Sequence, residues 1–181
     1  MTTPSQTIGP FFGYALPADG LPDLVPAGTP GAVVLTGTVR DGAGAPVPDA
    51  LLEVWQADAG GRFADAFEDL DRAQPAGFTG FGRCPTDPDG RFRFVTVKPG
   101  AVPGSDGVPQ APHLDLVVFA RGLLKPVVTR VYFPAEAANT TDPVLAALGD
   151  RAAGLVARED GRDLVFDVHL SGDDETVFFE L

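Results

Sequence analysis

Cysteine occurs once in the 181 residues (Cys84), as do methionine and tryptophan (Trp55); histidine occurs twice (His113, His169) and tyrosine twice (Tyr14, Tyr132). A single cysteine excludes a disulfide within the chain and any all-cysteine zinc site. Cations are scarce as well: 13 Lys and Arg stand against 25 Asp and Glu, a formal charge of −12. Phosphate recognition depends on accumulated Lys and Arg, so neither a nucleic acid partner nor a membrane partner is expected. No segment approaches the roughly eighteen consecutive apolar residues of a membrane span. The first residues, Met1-Thr-Thr-Pro-Ser-Gln-Thr7, have neither a basic nor an apolar stretch, which predicts a soluble, cytoplasmic chain. There is also no G-x-S-x-G and no cysteine-protease signature, so a serine or cysteine hydrolase is not indicated.

What is abundant is glycine (22), proline (18) and apolar side chains (44%), enough for one domain with a real core and many turns. Residues 1–30 carry Pro4, Pro10, Pro17, Pro22, Pro26 and Pro30 without a sustained period, and read as an extended arm. Ile8, Phe11, Phe12, Tyr14, Leu16 and Leu21 give that arm apolar surface that must be buried on its own core or on a partner. From Ala32 onward the pattern is that of strands. Val33, Leu35, Gly37 and Val39 alternate with Val34, Thr36, Thr38 and Arg40, and a Gly/Pro turn over 41–49 leads to a second strand over 51–56. Further strands are predicted over 90–97, 114–119, 127–133, 164–170 and 176–180, and one short helix begins at the cap Asp142 with Pro143 in its first position. The fold class is mainly β, an antiparallel β-sandwich, with domain boundaries 1–30 (arm) and 31–181 (sandwich).

Two histidines and two tyrosines match by count a ferric site built from imidazoles and phenolates, but count is not spacing. On an alternating strand His113, Asp115 and Val117 share a face, so His113 and Asp115 form either a ligand pair or a hydrogen-bonded buried pair. No third ligand clusters with them, and packing is the simpler reading. Cys84 and Trp55 read as packing residues. Arg121 ends the apolar run 114–120, a place from which a guanidinium reaches a carboxylate or an interface.

Several stretches together carry a resemblance: Thr3-Pro-Ser-Gln-Thr-Ile-Gly-Pro-Phe11, Leu52-Glu-Val-Trp-Gln-Ala-Asp58, Phe81-Gly-Arg83, Thr96-Val-Lys-Pro-Gly100, the run 111–122 and Glu175-Thr-Val-Phe-Phe179. In this order, and nearly end to end, the chain resembles the α subunits of intradiol ring-cleaving dioxygenases. The resemblance implies a β-sandwich, a β subunit of similar fold, and Fe(III) held by that partner and not by this chain. Catalytic subunits of the family supply a tyrosine after Lys-Pro-Gly and two histidines from Pro-x-His-x-His. Here Val102 and Asp115 stand at two of those places, leaving His113 as a vestige. The resemblance further implies a substrate pocket shared with the β subunit and lined by Thr7, Gly9, Pro10 and Phe11. Phe11 stands where related subunits carry tyrosine, and Arg121 is placed at the pocket mouth, facing the carboxylate of a small aromatic substrate that reacts with O2. The runner-up is a stand-alone prealbumin-like binding module, since the 37–49 turn is also of that type.

Overall fold

β-Branched and aromatic residues alternate with polar ones from Ala32 onward, and each such stretch that has a neighbour to pair with becomes a strand. The computed structural model describes residues 4, 6–9, 11–63, 77–104 and 107–180. In chain order the elements are α1 (Phe12–Ala15), β1 (Ala32–Arg40), β2 (Leu51–Trp55), β3 (Phe81–Pro85), β4 (Arg91–Val97), β5 (Val102–Pro103), β6 (Pro109–Gln110), β7 (His113–Phe119), β8 (Val127–Tyr132), α2 (Pro143–Leu148), β9 (Arg158–Asp160), β10 (Asp163–Val165) and β11 (Val168–His169), with 3-10 turns over Ala137–Thr141 and Gly149–Leu155. One sheet centres on β1, which pairs with β4, β10 and β11, and β9 pairs with β10. The other runs β3-β2-β7-β8, antiparallel throughout. A two-stranded ribbon of β5 and β6 stands beside them.

The inner faces meet in one core. Leu35, Val39, Phe92 and Phe94 from the first sheet pack with Leu52, Val54, Leu114, Leu116, Val118 and Val131 from the second. Each fully buried side chain of this size stabilises the fold by about 1.5–3 kcal/mol relative to exposure. Part of the proline-rich N-terminal stretch joins this core. Val95 N–H donates to Pro22 O, Leu24 N–H to Val95 O and Arg83 N–H to Leu21 O, and Leu24 is completely buried.

Besides β3, β5, β6 and β9, which no pattern marked, four features depart from the sequence expectation. β10 and β11 run parallel to β1, in an otherwise antiparallel arrangement. The strand expected over 164–170 is broken in two, because Asp167 Oδ1 takes the Thr38 N–H at 2.9 Å while Phe166 N–H donates to Thr36 O at 2.8 Å. The strand expected over 176–180 is reduced to a bridge between Phe179 and Val128. The expected helix is α2, with Asp142 accepting from Val144 N and Leu145 N at 2.9 Å each, but a second helical turn, α1, interrupts the arm. α1 forms because Phe12 is buried as an anchor, drawing Tyr14 N and Ala15 N onto Phe11 O. No helix among the described residues is long and apolar enough to cross a membrane.

Candidate functional site

The alternation of β7 sends Leu114, Leu116 and Val118 into the core and leaves His113 and Asp115 on the outer face of the second sheet. Register then places Tyr132 opposite His113 and Arg130 opposite Asp115. Gln110, paired with Val102 across the ribbon, ends β6 just before them. Five polar groups from two stretches of the chain, 110–115 and 130–132, therefore share one patch of sheet.

Arg130 is its hub. Its Nε donates to Asp115 Oδ1 at 3.0 Å and its Nη1 to Gln110 Oε1 at 2.9 Å, with the Tyr132 hydroxyl 3.4 Å from the same Nη1. Burial works against its charge, but Tyr132 and Asp115 outweigh burial and hold its pKa above the ordinary arginine value. The Tyr132 hydroxyl donates to Asp142 Oδ1 at 3.2 Å, and Asp142 Oδ2 accepts from Ala111 N at 2.7 Å. His113 Nδ1 lies 2.7 Å from the Ala111 carbonyl, which can only accept, so Nδ1 carries the proton and Nε2 faces Asp115 Oδ1 at 3.8 Å. Burial, then the Arg130 charge, lowers the His113 pKa and keeps the imidazole neutral.

Burial also pushes the Tyr132 phenol up to about 12; Arg130 opposes that shift and Asp142 adds to it. A phenol whose pKa is raised on folding contributes stability that is fully present below its unfolded value, near 10, and is lost as pH rises toward about 12. We expect the near-ultraviolet phenolate signal lost in Tyr132→Phe to appear only above about pH 11 in the native chain. Its appearance at the same pH as in urea-unfolded protein would contradict the buried arrangement.

The ferric ion implied by the resemblance does not fit these residues. Val102 is buried and has no donor atom, the Asp115 oxygen nearest His113 is taken by a guanidinium, and the Tyr132 phenol is held neutral. Among the described residues, no group of three or more His, Cys, Asp or Glu side chains is arranged to hold a metal. His169 lies on β11 in the other sheet, and Tyr14 on α1.

Of the second group of sequence-predicted residues, Arg121 lies against Phe12 to Tyr14, while Thr7, Gly9 and Phe11 border neither of the two hollows beside the arm. Thr7 is exposed, Gly9 is half-buried at φ +77°, Phe11 is 80% exposed, and Pro10 lies outside the described residues. Gln6 and Ile8 border a hollow of about 240 Å³ with Phe119, Leu123, Leu124 and Pro126. A second hollow, of about 350 Å³, is lined by Phe12, Gly13, Tyr14, Asp49, Pro85 and Arg121. The structure thus brings Arg121 to the arm. Asp49 Oδ2 takes its Nε, and among the described residues nothing ties its two Nη groups. Phe11, just before α1, and Tyr14 on it are the two most exposed large hydrophobic side chains among the described residues.

Sequence reading missed Asp49, Gln110, Arg130 and the Tyr132–Asp142 link. Arg130 carried a usable signal, since it alternates with Thr129 and Val131 on a predicted strand next to the one that bears Asp115. Asp142 is the helix cap that the sequence predicts, but capping uses only its Oδ1, and Oδ2 accepts from Ala111 N.

Comparison with known proteins gives a consistent answer. A family model described as "Dioxygenase" matches residues 8–172. The protocatechuate 3,4-dioxygenase alpha chain of Burkholderia cepacia is 44% identical over 198 residues, covering 99% of this chain and 97% of that one. The beta chain of the same enzyme from the same organism is 37% identical over 155 residues, 80% of this chain and 66% of that one. Among solved structures, the dioxygenase domain of a dioxygenase carbohydrate-binding protein fusion from Streptomyces sp. SirexAA-E is 32% identical, with a TM-score of 0.65 over 94% of this chain and 98% of that one. The chain belongs to the dioxygenase family, that of the intradiol ring-cleaving enzymes.

Proposed function

We propose that this chain is the α subunit of a protocatechuate 3,4-dioxygenase, working in the cytoplasm beside a β subunit that holds Fe(III). Within residues 1–30, the stretch before Leu21 is the arm that packs on the β subunit, while Leu21 to Val25 are bound into this chain's own core beside the sandwich of residues 31–181. The reaction inserts both atoms of O2 into 3,4-dihydroxybenzoate, breaks the ring bond between the two hydroxyl-bearing carbons, and gives 3-carboxy-cis,cis-muconate. This chain contributes pocket wall, charge and assembly. Thr7, Gly9, Pro10 and Phe11 line the partner's pocket: glycine permits close backbone approach, proline and phenylalanine offer apolar walls to an aromatic ring, and threonine offers a hydroxyl.

One observation carries the reading. A chain alike from end to end to an alpha chain has, where a catalytic centre would sit, a valine and a carboxylate already bound to arginine. Chemistry on oxygen then belongs to another chain, and the exposed Phe11 and Tyr14 supply apolar surface for contact with it. The purified chain alone is expected to carry no iron and no activity, while co-expression with its β subunit yields a coloured complex that consumes O2 on adding protocatechuate. Full iron occupancy in the lone chain, or a native monomer that ignores the β subunit, would overturn this.

Arg121 receives the substrate carboxylate through its two Nη groups, with Asp49 holding its Nε edge. A charge pair at about 4 Å in a partly screened site is worth up to about 4 kcal/mol before desolvation is counted. In the complex, Arg121→Ala should raise KM for protocatechuate by about ten-fold or more, and leave KM for uncharged catechols nearly unchanged. An equal rise for both would remove the carboxylate role.

A further inference from the structure

We infer that Arg130 is the resident cation of the centre at His113 and Asp115, and that it bars a metal ion from that centre independently of the missing tyrosine and second histidine. The inference rests on this chain's geometry and holds whether or not it pairs with a β subunit.

Asp115 Oδ1 is the acceptor of Arg130 Nε at 3.0 Å and the atom nearest His113 Nε2, at 3.8 Å. A metal shared by His113 Nε2 and that oxygen would sit about 2.0–2.2 Å from each. It would lie in the same space as the guanidinium and repel it. The arginine has no easy retreat. Its side chain is 20% exposed, Gln110 holds one Nη, the Tyr132 hydroxyl stands 3.4 Å from that nitrogen, and the Phe179 ring centroid lies 5.9 Å from its Cζ. Nor can its charge be removed by pH, because a guanidinium stays protonated throughout the range in which the protein folds.

The wider network supports the same assignment. Tyr132 is oriented away from service as an anionic ligand by Asp142, which is itself fixed by the backbone N–H groups of Ala111, Val144 and Leu145. His113 keeps an unprotonated Nε2 with no hydrogen-bond donor among the described residues aimed at it. Removing the guanidinium would therefore leave a neutral imidazole nitrogen, a carboxylate and an amide oxygen facing a common space, a donor set that suits a divalent ion of the first transition row. The centre is a metal-type donor set neutralised by a covalently tethered cation.

The test uses the full-length chain, stripped of metal, equilibrated with Co(II) alone and freed of excess by gel filtration. Metal content is measured together with the visible cobalt absorbance, and circular dichroism reports the fold. The native chain should retain essentially no cobalt. Arg130→Gln should gain cobalt retention by about ten-fold or more, with visible bands of a nitrogen- and oxygen-bound ion, and adding His113→Ala should remove that gain. Arg130→Lys, which keeps a tethered cation, should remain as metal-free as the native chain. Should Arg130→Gln fail to fold, Arg130→Met, which keeps a straight aliphatic stem beside Phe179, must show the same gain. Cobalt held at His113 by the native chain overturns the inference; so does a folded Arg130→Gln or Arg130→Met chain that holds no more than the native one.

Discussion

Gly37→Ala is expected to abolish folding, or to lower stability by about 4 kcal/mol or more, beyond the usual cost of overpacking. A Cβ on Gly37 would lie 1.8 Å from the Phe166 carbonyl oxygen and 2.7 Å from Phe92 Cζ. Neither neighbour can yield. Phe92 is buried opposite Gly37 in the β1–β4 register, and Phe166 is fixed by its own N–H to Thr36 O while the next residue, Asp167, takes the Thr38 N–H. Since whole domains are stable by only about 5–15 kcal/mol, a loss of that size removes a large share. Urea unfolding of soluble protein measures it, and a change under about 1 kcal/mol would show that the crossing relaxes. Gly154→Ala is the control. Gly154 has open space around it and no positive φ, so the same methyl should cost nothing measurable or stabilise by about 0.4–1 kcal/mol.

Gly37 also shows where the sequence was legible and where it was not. Alternation marked β1, β4 and β7, because each buries every second side chain: Phe92, Phe94 and Thr96 in β4, and Leu114, Leu116 and Val118 in β7; β2 and β8 were legible as short runs rich in β-branched and apolar residues. It failed where side chains replace ladder bonds. Asp167 substitutes for a backbone acceptor, so a run that reads as one strand from Leu164 to Leu170 becomes two short parallel ones. β3 went unread because Phe81-Gly-Arg-Cys-Pro85 has no clean period, and its place at the sheet edge comes from pairing with β2 and from the arm at Leu21.

The candidate site divides in the same way. Motif marked Val102, His113 and Asp115, which the structure places on one patch of the second sheet and its ribbon. Their partners came from register, which no local pattern encodes. Asp115 meets Arg130 because β7 and β8 pair with that offset, and a shift of one residue would send Arg130 into the core. Arg121 was read as a cation at a strand end, while the neighbour that orients it, Asp49, lies 72 residues earlier and shows its role only once the sheet has formed.

Asp142→Ala carries the largest expected effect at the site. The carboxylate is completely buried and accepts four bonds, from Ala111 N, Val144 N, Leu145 N and the Tyr132 hydroxyl. Alanine leaves three backbone donors and a phenol unsatisfied in the interior, and removing one side of a buried polar network costs about 3–5 kcal/mol. Asp142→Asn keeps the shape but turns one acceptor into a donor facing a donor, so an intermediate loss of about 2 kcal/mol is expected. Thermal or urea unfolding distinguishes these from a simple helix cap, whose loss costs only about 1 kcal/mol. A second readout locates the damage. Asp142 helps to hold the Tyr132 pKa up, so in whichever variant still folds the phenolate should appear below the native value of about 12. The Tyr132 hydroxyl, released from Asp142, would then turn wholly to Arg130, and the arginine at the centre would gain a firmer acceptor while the α2 anchor is lost. If Asp142→Ala costs 1 kcal/mol or less and leaves the phenol unmoved, Asp142 is a cap and nothing more, and Arg130 owes its place to Asp115 and Gln110 alone.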